Sequence, residues 1–165
     1  MNLPDNEIQR DYPRIRRVEA SHIVDLIRIG DETNLSPWTA QGYLDEMKNV
    51  DAIMLRLVAE DNSTIGFIVG RTVLGGDVET TNDAEIYNIA VAQIEQRCGR
   101  GQMLFDAFML ACKERQVATI WLEVRESNQK AISFYERNGF SRVQTRPSFY
   151  DNPREHALLM KLILK

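Results

Sequence analysis

The chain has 165 residues, 44% of them hydrophobic, which suits one domain with a sizeable core and excludes a disordered chain. Lysine and arginine total 20 against 24 for aspartate and glutamate, a formal charge of -4, which argues against a broad basic face for nucleic acid. The opening MNLPDNEIQRDYP carries no apolar run, no later segment approaches the roughly 20 apolar residues of a membrane span, and two cysteines are too few for a disulfide framework. A cytoplasmic protein with neither nucleic acid nor membrane as partner is expected.

Residues 1–11 are polar and read as a flexible arm, with a single domain expected over 12–165. Tyr12–Val18 reads as a first strand. Ser21 is the predicted cap of a helix over His22–Asp31, with Ile23, Leu26 and Ile27 on one face. Ser36 and Pro37 predict the start of a second helix over Trp38–Met47. Ile53–Ala59 and Ile65–Thr72 flank Asp61-Asn62-Ser63 and read as a hairpin, followed by a polar loop over Val73–Asp83. Ala84–Val91 is the next strand. Gln102–Arg115 is a helix with Met103, Leu104, Ala107, Phe108 and Ala111 as its inner face. Thr119–Val124 is rich in β-branched and aromatic residues and reads as a strand. A helix over Gln129–Asn138 should end at Gly139, and strands over Phe140–Tyr150 and His156–Ile163 close the chain. The order β-α-α-β-β-β-α-β-α-β-β is mixed α/β, without the steady alternation of a doubly wound sheet.

Between the fourth strand and the third helix lies Gln96-Arg97-Cys98-Gly99-Arg100-Gly101. Glycines allow a tight turn and close approach to an anion, and the free N–H groups and dipole at a helix start favour a pyrophosphate there. Arg97 and Arg100 could add charge-assisted contacts. The same pattern also serves as a plain turn and helix cap. No Lys-Ser or Lys-Thr follows, so it is not a Walker A loop. Leu104 stands where a dinucleotide fingerprint has its third glycine.

AEIYNIAV, QRCGRGQMLFDAF and IWLEVRESNQKAISFYERNGF together resemble the acetyl-CoA core of the GNAT superfamily. The third segment is most similar to the bacterial ribosomal-protein-alanine N-acetyltransferases, the RimI family. The likeness also takes in Ser36-Pro37-Trp38-Thr39 and Pro147–Tyr150, so it runs from about Arg14 to Leu164. It implies a GNAT fold, with a mixed, mostly antiparallel sheet of about seven strands and about four helices. The activity implied is acetyl transfer from acetyl-CoA to a primary amine, without a metal. The acceptor implied is a protein N-terminus, with the N-terminal alanine of a ribosomal protein as its most specific form. A lysine or a small amine is the alternative acceptor, and a non-catalytic acyl-CoA-binding module the alternative class.

Such transfer needs a neutral amine, a polarised thioester carbonyl and a proton for the departing thiolate. An α-amino group titrates near about 8 and a lysine near about 10.4, so a modest base suffices for the former. His22 and His156 lie at element starts and read as structural or solvated. Glu123 lies between apolar neighbours in its strand, where alternation points it either to solvent or to a site. The resemblance makes it the base, often acting through water, and makes Tyr135 the acid that protonates the CoA sulfur. A tyrosine packed in the core is the other reading of Tyr135. Asn128 caps its helix and, by the resemblance, also contacts the pantetheine arm.

By the same likeness Ile89, Ala90 and Val91 pair with the pantetheine amides and polarise the thioester carbonyl. Arg97, Cys98, Gly99, Arg100, Gly101 and Gln102 form the pyrophosphate cradle. Ala92–Glu95 lacks the usual Asp-Pro, and Gln102 and Cys98 stand where other residues are common. No histidine near Cys98 in sequence supports a nucleophile. Trp38, Phe149 and Tyr150 match the loops that flank the peptide, though core or hairpin packing explains aromatics there equally well.

Overall fold

The computed structural model describes residues 13–74 and 82–164. The predicted arm, Tyr12 and residues 75–81 of the predicted 73–83 loop lie outside the described residues. Seven strands form one sheet in the order β1-β2-β3-β4-β5-β7-β6. They are β1 (Arg14–Arg17), β2 (Ala52–Val58), β3 (Thr64–Leu74), β4 (Asn82–Val91), β5 (Val117–Arg125), β6 (Ser141–Asp151) and β7 (Arg154–Ile163). Four α-helices cover it: α1 (Ile23–Glu32), α2 (Ala40–Met47), α3 (Arg100–Glu114) and α4 (Gln129–Arg137). Every strand pairing is antiparallel except β4 with β5. This is the expected element order.

The sheet has a core on each face. Ile68, Ile86, Ile120, Leu122 and Met160 pack with Leu104, Phe105, Phe108 and Cys112 of α3 and with Ile132 and Tyr135 of α4. On the opposite face Phe67, Val69 and Ala90 pack with Leu26 and Ile29 of α1 and with Tyr43 of α2. The α3 stripe differs from the predicted one, since Met103 is exposed and Phe105 is buried. The helix starts two residues earlier than expected, and Leu104, Phe108 and Cys112 recur at four-residue spacing along its inward side. In α1, Ile29 is fully buried and Ile27 only partly.

Two helix starts also differ from the sequence reading. Ser21 lies in a 3-10 turn over Ala20–His22, and α1 is entered through His22. For α2 the cap is Thr39, whose Oγ1 accepts from Gly42 N at 3.0 Å, and Ser36-Pro37-Trp38 precede the helix. Trp38 packs its ring 5.3 Å from Tyr43 and 5.6 Å from Tyr87, a tertiary contact that outweighs the local Ser-Pro signal. The predicted 73–83 loop is strand at both ends, with Val73 opposite Asp83 and Leu74 opposite Asn82.

α4 is closed as its sequence dictates. Asn128 Oδ1 accepts from Ala131 N at 3.1 Å, and Gly139 takes a left-handed φ of 91°. Gly139 N then donates to Glu136 O, and Phe140 N to Tyr135 O, both at 3.0 Å, the paired bonds of a Schellman end.

The β3–β4 ladder shifts register between Val69, opposite Asn88, and Gly70, opposite Ile86, which leaves Tyr87 as an extra residue in β4. Gly70 permits the bulge. A Cβ there would meet the Glu85 carbonyl oxygen and come within 2.6 Å of Phe108. Gly70→Ala should therefore lower stability by about 1–3 kcal/mol, read as a lower urea midpoint with an unchanged m-value.

Candidate active site

β4 and β5 lie side by side only as far as the pair Ile86–Leu122. From Asn88 to Val91, β4 keeps β3 on one side, while the ladder with β5 has ended. An edge of main-chain donors and acceptors thus faces a gap inside the sheet. The gap opens into a cleft of about 1330 Å³. Its walls include Trp38, Ile89, Ala90, Val91, Glu123, Asn128, Tyr135, Phe149 and Tyr150. The loop residues Arg97, Gly99, Arg100, Gly101 and Gln102 line it too. Of the site residues expected from sequence, Cys98 alone is not among the lining residues. It is exposed, with Sγ 3.6 Å from Gln96 O.

The turn before α3 is a concave stretch of backbone. Arg97 and Gly99 both take left-handed φ, at 64° and 73°, and α3 begins at Arg100. A Cβ at Gly99 would meet nothing within 4 Å, so its glycine serves conformation rather than space. The first-turn N–H groups, Arg100 to Gln102, have no carbonyl partner within the helix, an arrangement that favours negative charge nearby. The side chains are disposed less simply than the sequence suggests. Arg100 is paired with Glu95, and its Nη1 also donates to Glu95 O at 3.4 Å. Arg97 makes no ion pair among the described residues. Lys130, from the first turn of α4, donates to Gln96 Oε1 across the turn. Gln102 and Asn138 exchange amide hydrogen bonds of 2.7 and 3.1 Å, which brace α3 against the end of α4.

Glu123 alternates with Leu122 and Val124, which belong to the α3–α4 core, so its carboxylate lies on the opposite face of the sheet. There it forms an ion pair with Arg146 of β6. Tyr135 comes from α4, beneath the other face. Its ring is held 5.6 Å from Phe134 and 5.5 Å from Phe140. Burial, and secondarily Tyr150, pushes its hydroxyl well above the ordinary tyrosine range. Tyr150 is also raised, by burial first and then by the Glu123 charge. The two tyrosines and the carboxylate therefore share one neighbourhood.

The last hairpin aims its aromatics by a bulge. Between Arg146, opposite Ala157, and Tyr150, opposite Glu155, β6 carries extra residues. Ser148 adopts a left-handed φ of 50°, and its N–H donates to His156 Nδ1 at 3.0 Å. His22 Nδ1 similarly accepts from Glu19 N at 3.0 Å, so each histidine ties down backbone, as expected. Arg125 lies 4.1 Å over the Tyr150 ring and donates to Asn152 O, Pro153 O and Glu155 Oε2 at 3.1–3.3 Å. Arg146 lies 4.7 Å over Phe149.

The cleft residues not singled out from sequence include Tyr87, Asn88, Lys130 and Arg146. Tyr87-Asn88 interrupts the alternation of β4 with two adjacent polar-tipped residues, a usable sign of a bulge. Lys130 and Arg146 carry no such sign. Tyr87 packs on Trp38 and is pushed up to about 12 by burial first and then by Glu85. Arg71 sits 5.9 Å from its ring and is held by Glu46, a buried carboxylate of α2. Among the described residues, no three His, Cys, Asp or Glu side chains group to hold a metal ion.

A model of the acetyltransferase (GNAT) family matches residues 23–140. The chain belongs to the GNAT acetyltransferase family. A Haemophilus influenzae relative, a [ribosomal protein bS18]-alanine N-acetyltransferase, is 36% identical over 153 residues, covering 91% of this GNAT chain and 98% of the relative. The crystal structure of the Escherichia coli ribosomal-protein-S18-alanine N-acetyltransferase superposes with a TM-score of 0.79 at 28% identity, over 92% of this chain and 94% of that one. Arabidopsis thaliana NAA60, solved with acetyl-CoA, superposes at 0.81 and 16% identity over 92% and 98% of the two chains, a likeness of fold. The GNAT fold expected from the sequence, with its open seven-stranded sheet, is the one found.

Buried tyrosines set an alkaline limit for this GNAT domain. Tyr43 and Tyr87 are both raised to about 12, by burial first in each case, against an unfolded value of about 10. The folded state holds these protons more tightly, so their contribution is complete below pH 10 and is lost as pH rises through 12. Thermal melts should be flat between pH 8 and about 10 and fall steeply above it, with tyrosinate absorbance lagging that of the unfolded chain.

Proposed function

We propose that this chain transfers the acetyl group of acetyl-CoA to the α-amino group of a protein N-terminus, the N-terminal alanine of a small-subunit ribosomal protein being the acceptor. The observation that carries this reading is the gap between β4 and β5, with Glu123 on one face and Tyr135 on the other of a single cleft. The acceptor is supported by the Haemophilus influenzae and Escherichia coli relatives, which act on the alanine of the S18 protein. Residues 12–165 act as one catalytic domain in the cytoplasm. No helix among the described residues is long and apolar enough to cross a membrane.

The residues present fit acetyl-CoA. The concave turn at Arg97–Gly99 and the first-turn N–H groups of α3 suit a pyrophosphate. The uncovered edge of β4 at Ile89, Ala90 and Val91 offers main-chain partners to pantetheine amides, and Asn128, whose Oδ1 is used as the cap, retains its N–H₂. Acetyl-CoA supplies the acetyl thioester. Main-chain N–H groups of β4, fixed by the β3 ladder, polarise a carbonyl oxygen without reorganising. Glu123 takes the proton of the incoming ammonium, directly or through one water. Tyr135 gives its phenolic proton to the departing sulfur. Trp38, Phe149 and Tyr150 wall the side on which Glu123 lies and receive the acceptor peptide.

Release of free thiol from acetyl-CoA should be fastest with peptides of basic, alanine-initiated ribosomal tails. Lysyl peptides with blocked N-termini and small amines should be much slower, and equal rates across these classes would remove the acceptor assignment. Tyr135→Phe and Glu123→Gln should each lower kcat about 10²-fold or more while acetyl-CoA affinity, measured by calorimetry, changes little. Full turnover in both variants would overturn the acid–base roles.

A further inference from the structure

Asn88 is 5% exposed, and its Nδ2 is shielded from solvent with no hydrogen-bond partner among the described residues. A leucine has nearly the same shape and would leave no donor stranded, so folding alone gives no reason for an amide here. The position is specific. Asn88 stands opposite Val69 and two residues before Ala90, on the face that carries Trp38, Tyr43 and Tyr87. It is part of the cleft wall, two residues past the last β4–β5 pair. Glu123 lies on the same face.

We propose that Asn88 Nδ2 donates a hydrogen bond to the main-chain carbonyl oxygen of the acceptor's first residue, and thereby selects an α-amino group over a lysyl or alkyl amine. This rests on the acceptor reading above and adds the residue that enforces it. An N-terminal residue carries its carbonyl on the carbon next to the one bearing the reacting nitrogen, whereas a lysyl amine has only methylenes there. A carboxamide without a partner therefore meets a suitable acceptor atom in one substrate class and none in the other. The terminal torsion of asparagine is broad, so the N–H₂ can turn into the cleft within one χ1 rotamer. A buried group built to meet a substrate atom is left unpaired by any analogue lacking that atom, which is a strong source of selectivity.

The test compares wild type, Asn88→Leu and Asn88→Ala on two acceptors. One is an alanine-initiated peptide, and the other is the same peptide with CH₂ in place of its first carbonyl. The wild type should favour the intact peptide, and Asn88→Leu should lose about tenfold of that preference, chiefly as a higher KM for the intact peptide. Comparing the preference between proteins cancels the different basicity of the two amines. Acetyl-CoA affinity should be unchanged and the melting temperature equal or higher, results that mere structural damage would not produce. If Asn88→Leu does not fold, Asn88→Ala carries the same comparison. Retention of the wild-type preference overturns the proposal, and so does a matching loss of acetyl-CoA affinity, which would assign the donor to the cofactor. A wild type that acetylates no N-terminal peptide would instead overturn the acceptor reading, and the role of Asn88 with it.

Discussion

Everything functional in this chain depends on the parting of β4 from β5 after Ile86 and Leu122. Parallel strands in the middle of a sheet normally stay paired, because an unpartnered main-chain edge is costly when buried. Here the edge is tolerated because it lines a cleft. The bulge at Tyr87, admitted by the bare backbone of Gly70, adds twist to β4 where it must turn away. β3 continues to hold the far side of β4 through Val91, so the open edge is rigid although one side is uncovered.

The same parting lets the two faces of the sheet meet. Elsewhere α1 and α2 are separated from α3 and α4 by a continuous layer of strands. At the gap, Tyr135 from one side and Glu123 from the other line one volume. Two tyrosines that line this volume are held by neighbouring side chains. Tyr135 is fixed by Phe134 and Phe140, and Tyr150 is fixed by Arg125, which also gathers the turn of the last hairpin. Of the basic residues of the cleft, Arg97, Arg100, Lys130 and Arg137 belong to the α3 turn and α4, whereas Arg125 and Arg146 stand by the last hairpin, where Arg146 pairs with Glu123. The group at the α3 turn suits an anionic nucleotide.

Much of this was legible in the sequence where the signal is local. Asn128 and Gly139 bracket α4, and alternation in Ile120–Val124 separates Glu123 from the core, because caps and pleats are set by residues a few positions apart. The start of α2 was misread because Ser36-Pro37 is a strong local signal, and the stacking of Trp38 on Tyr87, which overrides it, spans 49 positions. Arg146 reaches Glu123 from an exposed edge strand, which the composition of that strand does not reveal. Asn88 is one polar letter within the strand AEIYNIAV. Its significance is that Nδ2 has no partner, a property of the three-dimensional surroundings alone. The RimI-like resemblance supplied roles for Glu123 and Tyr135 that spacing by itself left open.

The amide exchange between Gln102 and Asn138 has a consequence for how the cleft measures what enters it. It braces the helix that begins at the Arg97–Gly99 turn against the helix that carries Tyr135, so the span between turn and phenol is a fixed length. The cleft is a calliper. On the proposed reading, a donor is gauged by whether its reactive sulfur arrives opposite the phenol when its far end is seated, and a carrier of another length registers wrongly however well its acyl group fits.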